Sequence, residues 1–251
     1  MIVEIIRFIF WEAAKVLGLV FLGMVAAKAV SSLVVTKAWM KTALYALILI
    51  FAGLGAWFAG NDVAAEVYMW SSNSNLGRGD PVKAYANAIQ AVEMRPNNLS
   101  YWHTLMRTKM SLHQLDSVLE DEPAMTALSG GSLDEEDDYQ FSLCAFFLGQ
   151  YDKVIATTLR LIRQNPSYAA PYVLQGWAYT AEKKYPEAQQ SFLAVLQIFP
   201  NNQAAVENLA RAYYLGGDRQ RAIATLDETA KFPFDPSARQ RFEALKGLYG
   251  Q

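Results

Sequence analysis

The sequence predicts an all-α protein in two parts. Residues 1–61 form a membrane anchor, either one transmembrane helix or a helical hairpin, and residues 62–251 form an α-solenoid of paired helices closed by a C-terminal capping helix. Three observations carry this prediction. Residues 42–60 run for 19 positions without a charge. A proline–asparagine turn recurs downstream at a spacing that fits two helices. The composition is apolar, with 53% hydrophobic and 18% charged residues, against roughly 45–50% and about 25% in average soluble chains. With a mean hydropathy of +0.07, the chain can bury enough apolar surface to offset its ordering entropy, which excludes wholesale disorder.

The stretch from Thr42 to Gly60 matches the roughly 20 apolar residues that a helix needs to cross a hydrocarbon core of about 30 Å. Tyr45 and Trp57 stand near its ends, where interfacial aromatics sit. The preceding stretch, 2–36, would reach about 50 Å as one helix, more than one bilayer core. Its front half places Glu4, Arg7, Glu12 and Lys15 on one helical face, an amphipathic pattern suited to an interface or to another helix. Its back half is apolar except for Lys28, Ser31 and Ser32 and is a plausible second span. Lys28 either snorkels to the interface or pairs with an acid on a partner helix. Ala52, Gly55, Ala56 and Ala59 form small-xxx-small pairs with one another and with Gly60, a spacing that lets another membrane helix approach closely. The acidic residues and the length of the apolar material argue against a cleaved secretory signal.

Basic flanks stay cytoplasmic. Lys37 and Lys41 therefore put the connection between the two apolar stretches inside, and everything after residue 60 outside. The expected location is a bacterial inner (cytoplasmic) membrane with the solenoid on the periplasmic side. Residues 1–61 carry a net +3, which leaves −5 on the remainder of a chain whose total is −2. A domain of −5 without clustered Lys and Arg is no nucleic-acid binder.

The downstream period is read from its turns. Pro96-Asn97-Asn98 recurs as Pro200-Asn201-Asn202, with Asn165-Pro166-Ser167 between them. Pro166 and Pro200 are 34 residues apart, while Pro96 and Pro166 are separated by two such periods plus two residues. A 34-residue unit of two helices is the tetratricopeptide signature. In residues 169–202, Tyr172, Gly176, Tyr179, Ala188, Phe192 and Pro200 occupy that motif's positions; in 203–236, Leu209, Tyr213, Ala222 and Leu226 do so. The chain resembles the tetratricopeptide repeat family, most closely over residues 169–236. The resemblance implies helix pairs that cross closely at Gly176, Ala188, Ala210 and Ala222.

Residues 63–168 are a degenerate version. Asp80 to Glu93 reads as a second helix whose partner, 63–76, continues from the membrane span. Trp102 and Leu105 open the next repeat, but Pro123 and Gly130-Gly131 depart from the pattern. The unit near 134–167 has Ser142 and Val154 where small residues are expected. About five repeat-like units result. A helix over 237–249, with Arg239, Arg241, Glu243 and Lys246 on its outer face, suits a solenoid cap. Ser132 and Glu135 have capping-box spacing. The acidic run Asp134 to Asp138 then lies at a helix N-terminus, where the macrodipole favours negative charge without a ligand; the alternative is calcium, whose EF-hand spacing it does not match, or a basic partner.

No phosphate loop, dinucleotide fingerprint, zinc spacing or nucleophile elbow is present. The expectation is a protein that is not an enzyme and takes no cofactor or metal. The single cysteine, Cys144, excludes an internal disulfide and reads as a small buried hydrophobe. What remains is a surface. In the family resembled, the first helix of each repeat lines a groove that holds a peptide or partner helix. The positions here are His103 and Arg107, then Tyr139, Gln140, Leu143 and Phe147, then Val173, Trp177 and Thr180, and last Asn208, Arg211 and Tyr214. This set is aromatic and mildly polar, and only Asn208 with Arg211 hints at a carboxylate clamp. Phe147 and Trp177 could instead pack beneath a neighbouring repeat. The resemblance implies a membrane-anchored scaffold or accessory subunit in a larger membrane protein complex, with membrane and periplasmic protein subunits and the bilayer as partners. The alternative is a periplasmic chaperone or assembly factor, as in polysaccharide secretion or cytochrome c maturation.

Overall fold

A computed structural model describes residues 38–228 and 234–250, with the side chains of 38–45, 49 and 51–59 outside the description. Among the described residues there are eleven helices and no strand. In chain order they are α1 (Ala38–Gly77), α2 (Pro81–Met94), α3 (Leu99–Ser111), α4 (Leu115–Leu128), α5 (Glu135–Phe147), α6 (Tyr151–Gln164), α7 (Ala169–Ala181), α8 (Tyr185–Ile198), α9 (Gln203–Leu215), α10 (Arg219–Asp227) and α11 (Pro236–Tyr249). The chain divides into two compact units, Met1–Leu112 and His113–Gln251.

In the first unit, α1 is a single helix of 40 residues, so positions 63–76 do continue from the apolar stretch. Its C-terminal part packs on α2 and α3 around Ala65, Met69, Ala88, Ala91, Val92, Tyr101 and Leu105. Two polar contacts fix the register. The buried Ser72 hydroxyl donates to the Ala84 carbonyl at 2.7 Å, and the Tyr101 hydroxyl donates to the Glu66 carboxylate at 2.7 Å.

Among the described residues no helix is long and apolar enough to cross a membrane, and most side chains of the expected span 42–60 lie outside the described set. The backbone of Ala52, Gly55, Ala56 and Ala59 is helical, but their side chains lie outside the described set, as do Lys28 and the whole of 2–36. From Asn61 onward α1 is an amphipathic helix that buries Ala65, Met69 and Ser72 and exposes Val67 and Trp70.

The repeat is most regular where the chain turns from a first helix to a second. Gly79, His113, Gly149, Lys183 and Gly217 all take left-handed backbone, with φ of 76, 57, 75, 61 and 89°. Their spacings are 34, 36, 34 and 34 residues. At four of them the next amide closes a wide turn: Asp80 N–H donates to Asn75 O, Gln150 to Ala145, Lys184 to Tyr179 and Asp218 to Tyr213, at 2.8–2.9 Å. This is how a left-handed residue satisfies the last carbonyls of a helix while reversing the chain. The two extra residues fall in the turn between α4 and α5, at Gly130 and Gly131, with φ of 79 and 99°. They account for the irregular spacing between Pro96 and Pro166.

One sequence expectation needs correction. The helix after this turn is not opened by a capping box at Ser132: α5 starts at Glu135, and Asp134 caps it by accepting the Asp137 N–H at 2.8 Å. Asp134 wins because its carboxylate carries charge onto the first turn, which a hydroxyl does not. Pro123, which departs from the repeat pattern, lies inside the preceding helix, since α4 runs through it. Pro123 is exposed, so water can satisfy the carbonyl that loses its partner.

The best-packed part of the second unit is the α7–α8 pair. Gly176 faces the ring of Phe192, and a Cβ at that position would lie 2.6 Å from two ring carbons. Only a glycine lets this ring, 1% exposed, into the crossing. Phe192 then packs with Ala188, Leu209 and Ala212, carrying the core into the next pair. The last helix covers the end as expected: Ala238, Phe242 and Tyr249 are buried against Val206, Ala210, Ala222 and Leu226. Arg239, Arg241 and Glu243 stay exposed, while Lys246 bridges Asp227 at 2.9 Å and Glu243 at 2.6 Å.

Candidate partner-binding groove

In the second unit α5 and α7 lie side by side and run in the same direction. Near their starts the rings of Tyr139 and Tyr168 are 5.9 Å apart; toward their ends Phe146 and Trp177 are 6.0 Å apart. The face between them carries Glu136, Tyr139, Gln140, Leu143 and Phe147 from α5, and Val173 and Trp177 from α7. These α5 residues fall on one side because they recur at three- and four-residue steps. From residue 136 to 147 that side is about 16 Å long.

The two ends differ in chemistry. At the first, the exposed Glu136 carboxylate accepts a hydrogen bond from Gln140 Nε2 at 2.5 Å and one from the Tyr168 hydroxyl at 3.4 Å. Burial, then the charge of Glu136, pushes the Tyr168 hydroxyl up to about 12, and the same two causes raise Tyr139. The neighbouring acids are engaged elsewhere. Asp138, 5% exposed, takes both terminal nitrogens of Arg160 at 2.5 and 2.7 Å, and Glu135 accepts from Asn165 at 3.1 Å.

At the second end the structure separates Phe147 from Trp177, the two residues whose packing the sequence left open. Phe146 turns inward and touches Tyr151 and Trp177. Phe147 turns outward and is 65% exposed. Trp177 is half-buried, with Leu143 beside the same cluster. So Trp177 does pack against a neighbouring repeat, and Phe147 does not.

The remaining expected positions are less available. His103, half-buried, and Arg107, exposed, stand on α3 of the first unit, while the groove is built from second-unit residues alone. Thr180 donates to the Gly176 carbonyl at 2.7 Å, and Asn208 Nδ2 donates to the Ala204 carbonyl at 2.7 Å, both turned back onto their own helices. Arg211 is exposed. Tyr214 is covered by the last helix, its ring stacked on Tyr249 at 4.4 Å. Sequence reasoning missed Tyr168, which lies in a turn rather than on a helix face. It also missed Glu136, whose charge had already been assigned to the helix dipole.

Cys144 lies behind the groove, fully buried on α5, and burial pushes its thiol up to about 11. A raised thiol favours the folded state below its ordinary range, and that contribution is lost as pH climbs toward 11. Iodoacetamide at neutral pH should leave Cys144 unmodified in the native chain and label it rapidly in urea. Equal rates, read by intact mass, would show that α5 is not packed as described.

Comparison with known proteins agrees with this architecture. Residues 179–245 match the tetratricopeptide repeat family. No curated protein sequence matches the chain. Among solved structures, a crystal structure of MamA is similar at 21% identity and TM-score 0.59, covering 68% of this chain and 97% of that one. MamA from Desulfovibrio magneticus RS-1 is similar at 15% identity and TM-score 0.62, covering 67% and 94%. YrrB, described as a tetratricopeptide protein with an unusual peptide-binding site, is similar at 16% identity and TM-score 0.56, covering 70% and 90%. By sequence over residues 179–245, and by fold over about two-thirds of its length, this chain carries tetratricopeptide-type helical repeats.

Proposed function

We propose that the protein is a non-catalytic scaffold that holds another protein on the face between α5 and α7. The observation that carries this reading is Phe147, exposed at 65% and set against Phe146, whose ring meets the half-buried Trp177. An aromatic held in water next to a ready-made apolar floor is the anatomy of a docking site. YrrB, similar in fold, has a peptide-binding site by its own description.

In this reading residues 42–60 cross a bacterial inner membrane and hold the repeats on the periplasmic side, as an accessory subunit of a larger membrane complex. Support comes from the 19 uncharged residues and from Lys37 and Lys41 before them. Tethering raises local concentration without any chemistry.

Two measurements test the proposal. The full chain should stay with membranes through alkaline carbonate washing, and a chain beginning at residue 62 should not. Recovery of the full chain in the wash would remove the anchor. A photo-crosslinking residue at position 143 should trap a partner at fixed stoichiometry in native membranes, and one at Arg163 on α6 should not. Equal yields from both positions would count against the groove, and substoichiometric capture would favour the assembly-factor alternative.

A further inference from the structure

The groove between α5 and α7 is chemically polar along its length, and this deepens the function proposed above, on which it rests. We infer that its partner is a segment carrying a cationic side chain at one end and an apolar side chain about five residues away. The cation sits at Tyr139, Tyr168 and Glu136, and the apolar group sits on Phe147 and Trp177.

The cationic end is built from more than negative charge. Two tyrosine rings 5.9 Å apart, tilted at 54°, flank a carboxylate held by Gln140 and by the Tyr168 hydroxyl. Aromatic faces attract an ammonium or guanidinium through their quadrupole. A carboxylate beside them completes the charge complement. The arrangement is fixed in advance, because Glu136 already accepts two hydrogen bonds and loses little freedom on binding. Three other acids of the run are occupied, since Asp134 caps α5, Asp138 is paired with Arg160 and Glu135 accepts from Asn165, and the fourth, Asp137, is buried.

The far end is aromatic. Phe147 is 65% exposed and its ring meets that of Phe146, which in turn meets Tyr151 and Trp177. Leu143 and Val173 lie between the two ends, both half-buried. An extended chain advances about 3.3 Å per residue, so a face of about 16 Å separates the two anchors by about five residues. The net −5 of residues 62–251 favours encounter with a basic segment as well.

The test uses the full chain in detergent and short fluorescein-labelled alanine–serine peptides carrying one arginine and, about five residues on, a leucine pair. Anisotropy should show this peptide binding about tenfold more tightly than its glutamate-for-arginine counterpart. Glu136→Lys should reverse that preference with helicity unchanged by circular dichroism, and Phe147→Ser should weaken both peptides. If both peptides bind the unaltered chain equally and Phe147→Ser weakens both, the groove stands and the polarity is wrong. If neither peptide binds, or Phe147→Ser changes nothing, the groove itself is wrong. Should Glu136→Lys lose helicity, Tyr139→Leu with Tyr168→Leu takes its place and must erase the arginine preference.

Discussion

Phe192→Ala should cost about 3–5 kcal/mol, among the largest effects of any single substitution in the second unit, because it empties the crossing between α7 and α8. The ring is 1% exposed and packs with Ala188, Leu209 and Ala212, so its removal loosens two helix pairs at once. Its partner in the crossing is Gly176. Gly176→Ala should cost about 1–3 kcal/mol, since the added carbon would lie 2.6 Å from two ring carbons and either ring or helix must move. The two positions are in contact, so their effects should not add. In a Phe192→Leu background, Gly176→Ala should cost much less than in the natural chain. Urea unfolding followed by circular dichroism measures all of these midpoints. A Gly176→Ala cost that is the same in both backgrounds would mean that the glycine is not there to admit the ring.

That crossing was legible in the sequence for a physical reason. Gly176, Ala188 and Phe192 sit at fixed places in a 34-residue period, and a period repeated with its prolines intact carries its own phase. Where the markers are replaced, the phase is lost. The turn before α5 has Gly130 and Gly131 in place of a proline and is two residues longer, so the spacing points to a cap at Ser132 where Asp134 is the one that forms. The left-handed turn residues show the same limit. Gly149 and Gly217 advertise themselves, because glycine adopts positive φ at no steric cost. His113 and Lys183 take the same backbone with φ of 57 and 61°, and nothing in their side chains announces it; the surrounding helices impose it.

The groove was legible only in outline. Helical spacing put Tyr139, Leu143 and Phe147 on one face of α5, and they are there. Spacing alone could not say that Phe146 goes in and Phe147 stays out, nor that Tyr249 of the last helix would cover Tyr214. Those outcomes depend on neighbours distant in sequence. Tyr168 escaped for a simpler reason: a turn residue has no face in a helical pattern, yet this one stands across from Tyr139.

The position of Glu136 and Tyr139 depends on the first turn of α5, and that turn depends on an ion pair. Asp138 is 5% exposed and accepts both terminal nitrogens of Arg160 on α6, a two-pronged geometry that only a guanidinium supplies. Asp138 is buried and Arg160 is 44% exposed, so removing either partner should not be equivalent. Arg160→Leu leaves a carboxylate buried without its cation and should cost about 1–3 kcal/mol, discounted from the value for a fully buried pair because the arginine is partly solvated. Arg160→Lys should recover only part of that loss, since an ammonium meets one oxygen at a time. Replacing both residues by leucine removes the stranded charge and should be less harmful than Arg160→Leu alone. Urea midpoints give the order, and hydrogen exchange at the amides of residues 137–140 shows whether the damage is local to the groove's cationic end. If the double substitution proves worse than Arg160→Leu, the pair stabilises α5 through packing rather than charge, and the carboxylate was never the group at risk.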